Sequence, residues 1–192
     1  MITLYNVKGG VGKSSLAFQL AKHYSLPLYT NDIYSALTDI HKIDPKEKKS
    51  ELPDCVLDLG GFSDHRIASY IKNSDVIIIP TLYSKLDLQS TVLTTRDIIE
   101  VKPDAKIIIV INKTRSNDGK MIDETKRTLG KYLPFDAQYI EIRASKCFYH
   151  SVNSGQSIFE IYNANKMNKK YYVNTINSVY ELITEIDNLK GV

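Results

Sequence analysis

The sequence has only two cysteines, no long apolar run and a small net charge, and each of these features excludes some classes of protein. The two cysteines, Cys55 and Cys147, lie far apart and form no CxxC pair, so we expect reduced, buried thiols. No apolar run approaches the roughly 20 residues of a membrane span. The N-terminus also lacks a basic segment and a cleavage signal. We therefore expect a cytoplasmic protein.

The charges and histidines give little direction by themselves. A net charge of +3 is too small to indicate nucleic-acid binding, so local clustering of basic residues has to carry that argument. The four histidines show no ligand spacing, which makes a histidine metal site unexpected.

The 192 residues, 43% of them hydrophobic and 24% charged, suit one globular domain spanning 1–192. Short β-branched runs alternate with helical patterns. The residues at 76–79 and 107–111 are apolar without alternation, which is typical of strands covered on both faces. We predict an α/β fold with a mostly parallel central sheet flanked by helices on both faces. The predicted strands are 2–6, 26–31, 55–59, 76–80, 106–112 and 138–142, and the predicted helices are 13–24, 64–72, 86–101, 118–132 and 171–189. The segment 35–53 is interpreted as a solvated connection.

A glycine-rich loop joins the first predicted strand to the first predicted helix. Phosphate oxygens require several backbone N–H groups that point inward, and glycines permit that close approach. The helix that follows presents its positive end to the phosphates. In such a loop Lys13 would reach the β- and γ-phosphates, and the Ser14 hydroxyl would hold Mg²⁺. The predicted phosphate-binding residues are Lys8, Gly9, Gly10, Val11, Gly12, Lys13, Ser14 and Ser15.

The strict phosphate-loop pattern, G-x-x-x-x-G-K-[ST], is not met, because Val7 stands at its first position. The form K-G-G-x-G-K-[ST]-[ST] is met, and it resembles the deviant Walker A motif of the ParA/MinD family, most closely that of the small ParF-like partition ATPases. The resemblance implies ATP and Mg²⁺ as cofactors, slow ATP hydrolysis and an ATP-dependent homodimer. It also implies that Lys8 crosses the dimer interface to reach the partner's nucleotide.

Two carboxylates follow predicted strands. Asp58 ends an apolar strand, where a Walker B carboxylate orders the magnesium shell; the alternative is a turn aspartate. By the family resemblance Asp32 positions the attacking water, although Thr30 stands in place of the first Asp of the family's Asp-x-Asp. Residues 33–34 also replace the Pro-Gln that commonly follows, so a turn aspartate is again the alternative.

The resemblance continues along the chain. Asn112, at a strand end, resembles the residue that recognises adenine, and an amide both donates and accepts hydrogen bonds as the adenine edge requires. A strand-end turn is its alternative role. Asp87, after the strand that ends at Pro80, resembles the family's downstream aspartate. The segment 154–160 resembles the one that precedes the family's last helix.

Members of this family attach to DNA or to membrane. The C-terminal predicted helix carries Glu181, Glu185 and Asp187, and acidic faces are repelled by anionic lipid, so we expect no membrane attachment. A basic cluster precedes these acids and would contact phosphates without reading sequence, a solvated surface being the alternative. Its members are Arg143, Lys146, Lys166, Lys169 and Lys170.

These features predict an ATP-dependent switch for plasmid or chromosome segregation. It would bind DNA non-specifically, associate with the nucleoid and act with a centromere-binding ParB-type adaptor. Three alternatives stay open. They are a ParA-like ATPase that positions another cargo, a P-loop synthetase that activates a carboxylate or amine, and a nucleotide-binding adaptor without useful hydrolysis.

Overall fold

The central feature of the computed structural model, which describes residues 1–32, 37, 40–43, 52–60 and 67–191, is one parallel sheet. Seven strands form it in the spatial order β3-β2-β4-β1-β5-β6-β7, and each neighbouring pair is parallel. The strands are β1 (Ile2–Tyr5), β2 (Leu28–Thr30), β3 (Ile40–Lys42), β4 (Val56–Leu59), β5 (Val76–Thr81), β6 (Ile107–Thr114) and β7 (Gln138–Arg143).

Helices pack on both faces of this sheet. They are α1 (Lys13–Tyr24), α2 (Ile67–Asn73), α3 (Lys85–Val101), α4 (Gly119–Tyr132), α5 (Lys146–Ser154), α6 (Ile158–Asn163) and α7 (Lys166–Lys190). None of the helices in the described ranges is both long enough and apolar enough to cross a membrane.

The core consists of two apolar layers that share the strands. Along β5, Val76 and Ile78 enter the layer beneath α1, α5, α6 and α7, whereas Ile77 and Ile79 enter the layer beneath α2, α3 and α4. Strand β6 divides its apolar residues in the same way. Because successive side chains of a strand point to opposite faces, a strand covered on both sides needs an unbroken apolar run. The predicted fold class is therefore confirmed.

Some predicted elements differ from those observed. The segment 35–53, interpreted as a connection, contains the edge strand β3, which is short and largely exposed and so carries no apolar alternation. Helices α5 and α6 are absent from the predictions. They are short, and their clearest sequence signals are the capping hydroxyls of Ser145 and Ser157. Of the helix predicted over 64–72, residues 64–66 lie outside the described ranges.

Candidate functional site

The predicted phosphate loop leaves the carboxyl end of β1 and enters α1 at Lys13, as the sequence indicates. Gly12 caps the helix with a φ of 96°, a left-handed value that favours glycine. A Cβ added at Gly12 would lie 2.2 Å from Nδ2 of Asn112. The loop therefore needs glycine at this position both for its backbone angle and for the close approach of β6.

Side chains from the neighbouring strands hold the loop in shape. Asn6 donates from Nδ2 to the carbonyl oxygen of Pro80 at 2.8 Å, and its Oδ1 accepts from the Lys8 N–H at 2.9 Å. On the other side, Asn112 donates from Nδ2 to the Val11 oxygen at 2.8 Å, and Lys113 donates from Nζ to the Gly10 oxygen at 3.0 Å. The phosphate loop is thus anchored before any ligand arrives.

A cavity of about 560 Å³ opens beside this loop, at the carboxyl edge of the sheet. Two carboxylates that are distant in sequence, Asp32 and Asp58, meet the loop there, as the predictions required. Ligands of open parallel sheets bind at this edge. The lining residues are Val7, Gly9, Gly10, Gly12, Lys13, Ser14, Ser15, Asp32, Asp58, Gly60 and Lys113.

Lys13 lies within this cavity and is largely buried. Its ammonium donates to the backbone oxygen of Lys8 at 2.9 Å. Burial lowers the pKa of Lys13, and the negative charges of Asp58 and Asp32 oppose that shift. The Lys13 ammonium is therefore a poorly hydrated cation in the wall of a cavity, where a phosphate oxygen can take the place of water.

Asp58 is almost fully buried, at 1% exposure, and its Oδ1 accepts no hydrogen bond from any described residue. Burial raises the pKa of the Asp58 carboxyl, although a hydrogen bond from Ser14 and the charge of Lys13 act in the opposite direction. An unsatisfied carboxylate oxygen next to a serine hydroxyl is an oxygen donor set of the kind that Mg²⁺ prefers. The residues present therefore fit a magnesium ion bound together with phosphate.

Asp32 is half-buried and lines the same cavity. Its N–H donates to Oγ1 of Thr30 at 3.0 Å, so the Thr that replaces the family's first Asp fixes the turn after β2. The next residue back, Asn31, accepts the Gly60 N–H on Oδ1 at 2.6 Å and ties the end of β2 to the end of β4. Asn31 was not predicted as a site residue; its position at a strand end beside Asp32 was the available signal. Residues 33–34 lie outside the described ranges.

Asn112 does not line the 560 Å³ cavity. It lines a second cavity of about 230 Å³ that adjoins the first at Gly12 and Ser15. Arg143 and Phe148 form other parts of its wall. Beyond its bonds to Val11 and Lys113, the Asn112 amide retains one N–H and one acceptor site. The second cavity is the place where a base would extend from phosphates bound at the loop.

Solved structures with a similar fold include ParA- and MinD-type proteins. A variant of McdA from Cyanothece in complex with ATP superposes with a TM-score of 0.67, at 13% identity over 100% of this chain and 96% of its own. A putative plasmid partition protein from Borrelia burgdorferi bound to AMPPNP gives 0.57, at 17% identity over 94% and 98%. The septum site-determining protein MinD from Pyrococcus horikoshii with Mg-ADP gives 0.58, at 12% identity over 98% and 97%.

The chain has the ParA/MinD fold. No protein-family model and no curated protein matches its sequence, so the likeness is one of structure. The described parts of the fold place its phosphate loop, Asp32, Asp58 and Asn112 around two cavities that share the wall residues Gly12, Ser15 and Lys113. The structural neighbours named above were solved with ATP, AMPPNP or Mg-ADP.

Lys8, the extra lysine of the loop, lines neither of these two cavities. Its ammonium donates to Oδ1 of Asp87, at the start of α3. The two lysines of the loop therefore lie apart, with Lys13 in the cavity and Lys8 on the surface beside α3. Sequence reasoning identified Asp87 as a family-like residue but did not foresee this contact.

The predicted basic cluster is divided between two places. Arg143 lies at the end of β7 and lines the second cavity, and its N–H donates to the Ser178 hydroxyl of α7 at 3.4 Å. Near the other end of α7, the Leu189 carbonyl accepts from Lys106 at the amino edge of the sheet. The turns of α7 before Ser178 therefore lie beyond the carboxyl end of β7, where Asn168 donates from Nδ2 to the Ile161 oxygen of α6 at 2.7 Å and Ile176 is buried in the core. They carry the exposed residues Lys166, Lys169 and Lys170.

Proposed function

We propose that this protein is an ATP-dependent dimerising switch ATPase of the ParA type that segregates plasmid or chromosomal DNA. The observation that carries the proposal is the separation of two loop lysines. Lys13 faces the cavity that suits a nucleotide, whereas Lys8 leaves the same loop toward the outer surface. A single-subunit ATPase needs the first lysine, and only a two-subunit site gives the second one a phosphate to bind.

Within one subunit, the proposed roles follow the position of each side chain. The backbone of Gly9 to Ser15 and the ammonium of Lys13 bind the phosphates. Ser14 and Asp58 would hold Mg²⁺, whose positive charge would stabilise the negative charge of the phosphates. Asn112 binds the base in the second cavity.

Asp32 is proposed to orient the attacking water. It is half exposed and lines the phosphate cavity, so it can accept a hydrogen bond from a water there. Water positioned by one carboxylate, without a fixed strong base, is consistent with slow turnover. Hydrolysis then acts as a timer that ends the ATP state.

The ATP state is proposed to be a dimer in which each Lys8 binds the partner subunit's γ-phosphate. A γ-phosphate at an interface concentrates negative charge, and a lysine from across the interface neutralises it. ADP lacks that phosphate and most of that attraction. The dimer therefore exists only while ATP is intact.

DNA would bind to the exposed lysines in the first turns of α7. No aspartate or glutamate occurs between Glu160 and Glu181, so the exposed lysines there are not balanced by acids close in sequence. Exposed Tyr171 and Met167 lie among them. Lysines on a helix face bind phosphates without distinguishing bases. Dimerisation would place two such helices on one particle and increase its avidity for DNA.

Binding to unrelated duplexes, with ATP, with ADP and at increasing salt, tests this proposal. We expect ATP-dependent binding that is alike for all duplexes and falls steeply with salt, log K dropping by roughly 0.9 per phosphate contact for each log unit. Substituting Lys166, Lys169 and Lys170 together by Ala should abolish it. A control that substitutes the exposed lysines Lys72, Lys120 and Lys131 removes equal charge elsewhere and should bind as the parent does. Binding that ignores salt or nucleotide would contradict the proposal.

The cargo is proposed to be a centromere complex joined through a ParB-type adaptor. A MinD protein shares the fold, so the fold alone permits a ParA-like ATPase that positions a different cargo. The basic start of α7 favours DNA over that alternative. Co-purification of a small basic DNA-binding protein encoded beside this chain, together with stimulated ATP hydrolysis, would support the adaptor assignment. Stimulation by a small carboxylate or amine alone would favour a synthetase.

A further inference from the structure

Lys8 and Asp87 form an ion pair in which the carboxylate is buried and the lysine is partly exposed. The side chain of Asp87 is 3% exposed and that of Lys8 is 34% exposed. Asp87 stands at the third position of α3, where its Oδ2 accepts the Ser84 N–H at 3.0 Å and the Ser84 hydroxyl at 2.5 Å. One carboxylate oxygen therefore completes the helix cap, and the other receives the Lys8 ammonium.

The surroundings of Asp87 keep it negatively charged. Burial raises the pKa of Asp87, but hydrogen bonds from Lys8 and Ser84 outweigh that effect and leave the pKa below its ordinary value. The positive end of α3 also favours a carboxylate in the first turn. The lysine is thus held by a full charge as well as by a hydrogen bond, which is the stronger kind of polar contact.

Although the Lys8 ammonium has three N–H donors, its attraction to Asp87 opposes any movement of the side chain away from its own subunit. We propose that Asp87 is a positioning residue that holds Lys8 within its own subunit until two ATP-loaded subunits meet. The inference rests on the proposed dimerising function and adds a regulatory residue to it. A γ-phosphate offers the lysine more negative charge than one carboxylate does, whereas ADP offers no γ-phosphate. Asp87 therefore sets the free energy that a nucleotide must supply to draw Lys8 across the interface, and ADP does not supply it.

The free energy needed to release Lys8 follows from the chemistry of its ion pair with Asp87. Releasing one charged hydrogen bond costs on the order of a tenfold change in an equilibrium constant, and less where the lysine is partly hydrated. Each dimer releases two pairs, so the two factors multiply. Removing the carboxylate charge should therefore tighten the dimer by roughly 10- to 100-fold.

Asp87→Asn tests the inference, because the amide keeps the size of the side chain and an acceptor for Ser84 but loses the charge. Asp87→Ser provides a second charge-free variant should the first fold poorly. Asp97→Asn, on the exposed side of the same helix, is the matched control. Dimer dissociation constants are measured by light scattering or sedimentation with ATP, with ADP and without nucleotide, beside Lys8→Ala and the double variant Lys8→Ala/Asp87→Asn.

The inference predicts that Asp87→Asn tightens the ATP dimer and produces an ADP dimer at concentrations where the parent with ADP is monomeric. The double variant should be monomeric, like Lys8→Ala alone, because the gain requires Lys8. A purely structural role for Asp87 would leave the dimer of Asp87→Asn unchanged or weaken it. If Asp87→Asn dimerises no better than Asp97→Asn while Lys8→Ala loses the ATP dimer, the inference about Asp87 is wrong. The proposed binding of Lys8 to the partner subunit's nucleotide would still be supported. If Lys8→Ala dimerises like the parent, both are wrong.

Discussion

The ammonium of Lys13 lies 2.9 Å from the backbone oxygen of Lys8, so the two lysines of the phosphate loop are joined through the main chain. Lys13 uses the loop itself as its partner, and Lys8 uses Asp87. Both ammonium groups thus have a local partner that a phosphate can replace. Substitutions of Lys8 and Lys13 should therefore have different effects, although both lysines belong to the same sequence motif.

Lys13→Ala should abolish ATP binding. The side chain supplies the cation that faces the phosphate cavity, and loss of a charged contact to phosphate costs about 1.5–3 kcal/mol before any reorganisation of the loop. Titration calorimetry measures the affinity, and circular dichroism checks that the fold persists. Lys22→Ala, on the same helix, serves as the control and should bind ATP normally. Unchanged affinity in Lys13→Ala would overturn the nucleotide assignment.

Asp58→Asn should stabilise the ligand-free protein while weakening magnesium-dependent binding of ATP. Burial raises the pKa of Asp58, so its charged form is less favourable in the folded chain than in the unfolded chain. The folded state is therefore destabilised progressively as pH rises through the folded pKa, and a neutral amide removes that cost. Denaturant unfolding at neutral pH measures the gain.

The control for this variant is Asp104→Asn, an exposed carboxylate at the amino edge of the sheet. It should change neither stability nor ATP binding. The gain in Asp58→Asn should shrink as pH falls, because protonation of Asp58 removes the same charge from the parent. A variant that is less stable than the parent at neutral pH would show that the buried carboxylate is already well compensated without a metal.

Asp32→Ala should bind ATP, dimerise and remain dimeric, because water is no longer oriented for attack. Loss of one oriented catalytic group reduces turnover by roughly 100-fold or more. Phosphate release measures hydrolysis, and light scattering over time measures the lifetime of the dimer. Hydrolysis at the parental rate would mean that another residue orients the water, and residues 33–34 would be the first to test.

Asn112→Ala should reduce the preference for ATP over GTP by about tenfold, the effect of losing a hydrogen bond that suits adenine. Lys113→Ala is the control, since Lys113 anchors the loop at Gly10 and should change both affinities alike. If Asn112→Ala lowers the two affinities equally, its amide serves only to hold the loop through Val11.

The sequence was sufficient to predict the buried central strands and the position of the phosphate loop. Strands β5 and β6 are covered on both faces, and this environment demands the apolar runs that predicted them. The phosphate-loop pattern lies within one short segment, so the path of the chain from β1 through Gly12 into α1 at Lys13 could be predicted without distant contacts. Asp58 was predicted as a site residue because it ends an apolar run, and Asp32 because of the family resemblance, with a turn aspartate as the alternative for each.

Other features depend on contacts between residues distant in sequence. The pairing of Lys8 with Asp87 joins two residues 79 positions apart, one in a loop and one in a helix. Nothing in the sequence around either residue indicates its partner. Edge strand β3 is recognisable only by its pairing with β2. The first turns of α7 are exposed on most sides, so they lack the apolar periodicity that reveals a packed helix, and the helix was predicted to begin at residue 171 instead of Lys166.

The central claim is that ATP joins two subunits through Lys8, and light scattering of the parent and of Lys8→Ala tests it most directly. Each protein is measured with ATP, with ADP and without nucleotide, and calorimetry establishes that Lys8→Ala still binds ATP. The account predicts that the parent is a dimer with ATP and a monomer otherwise, and that ATP-bound Lys8→Ala stays monomeric. A Lys8→Ala variant that dimerises with ATP as the parent does would contradict it.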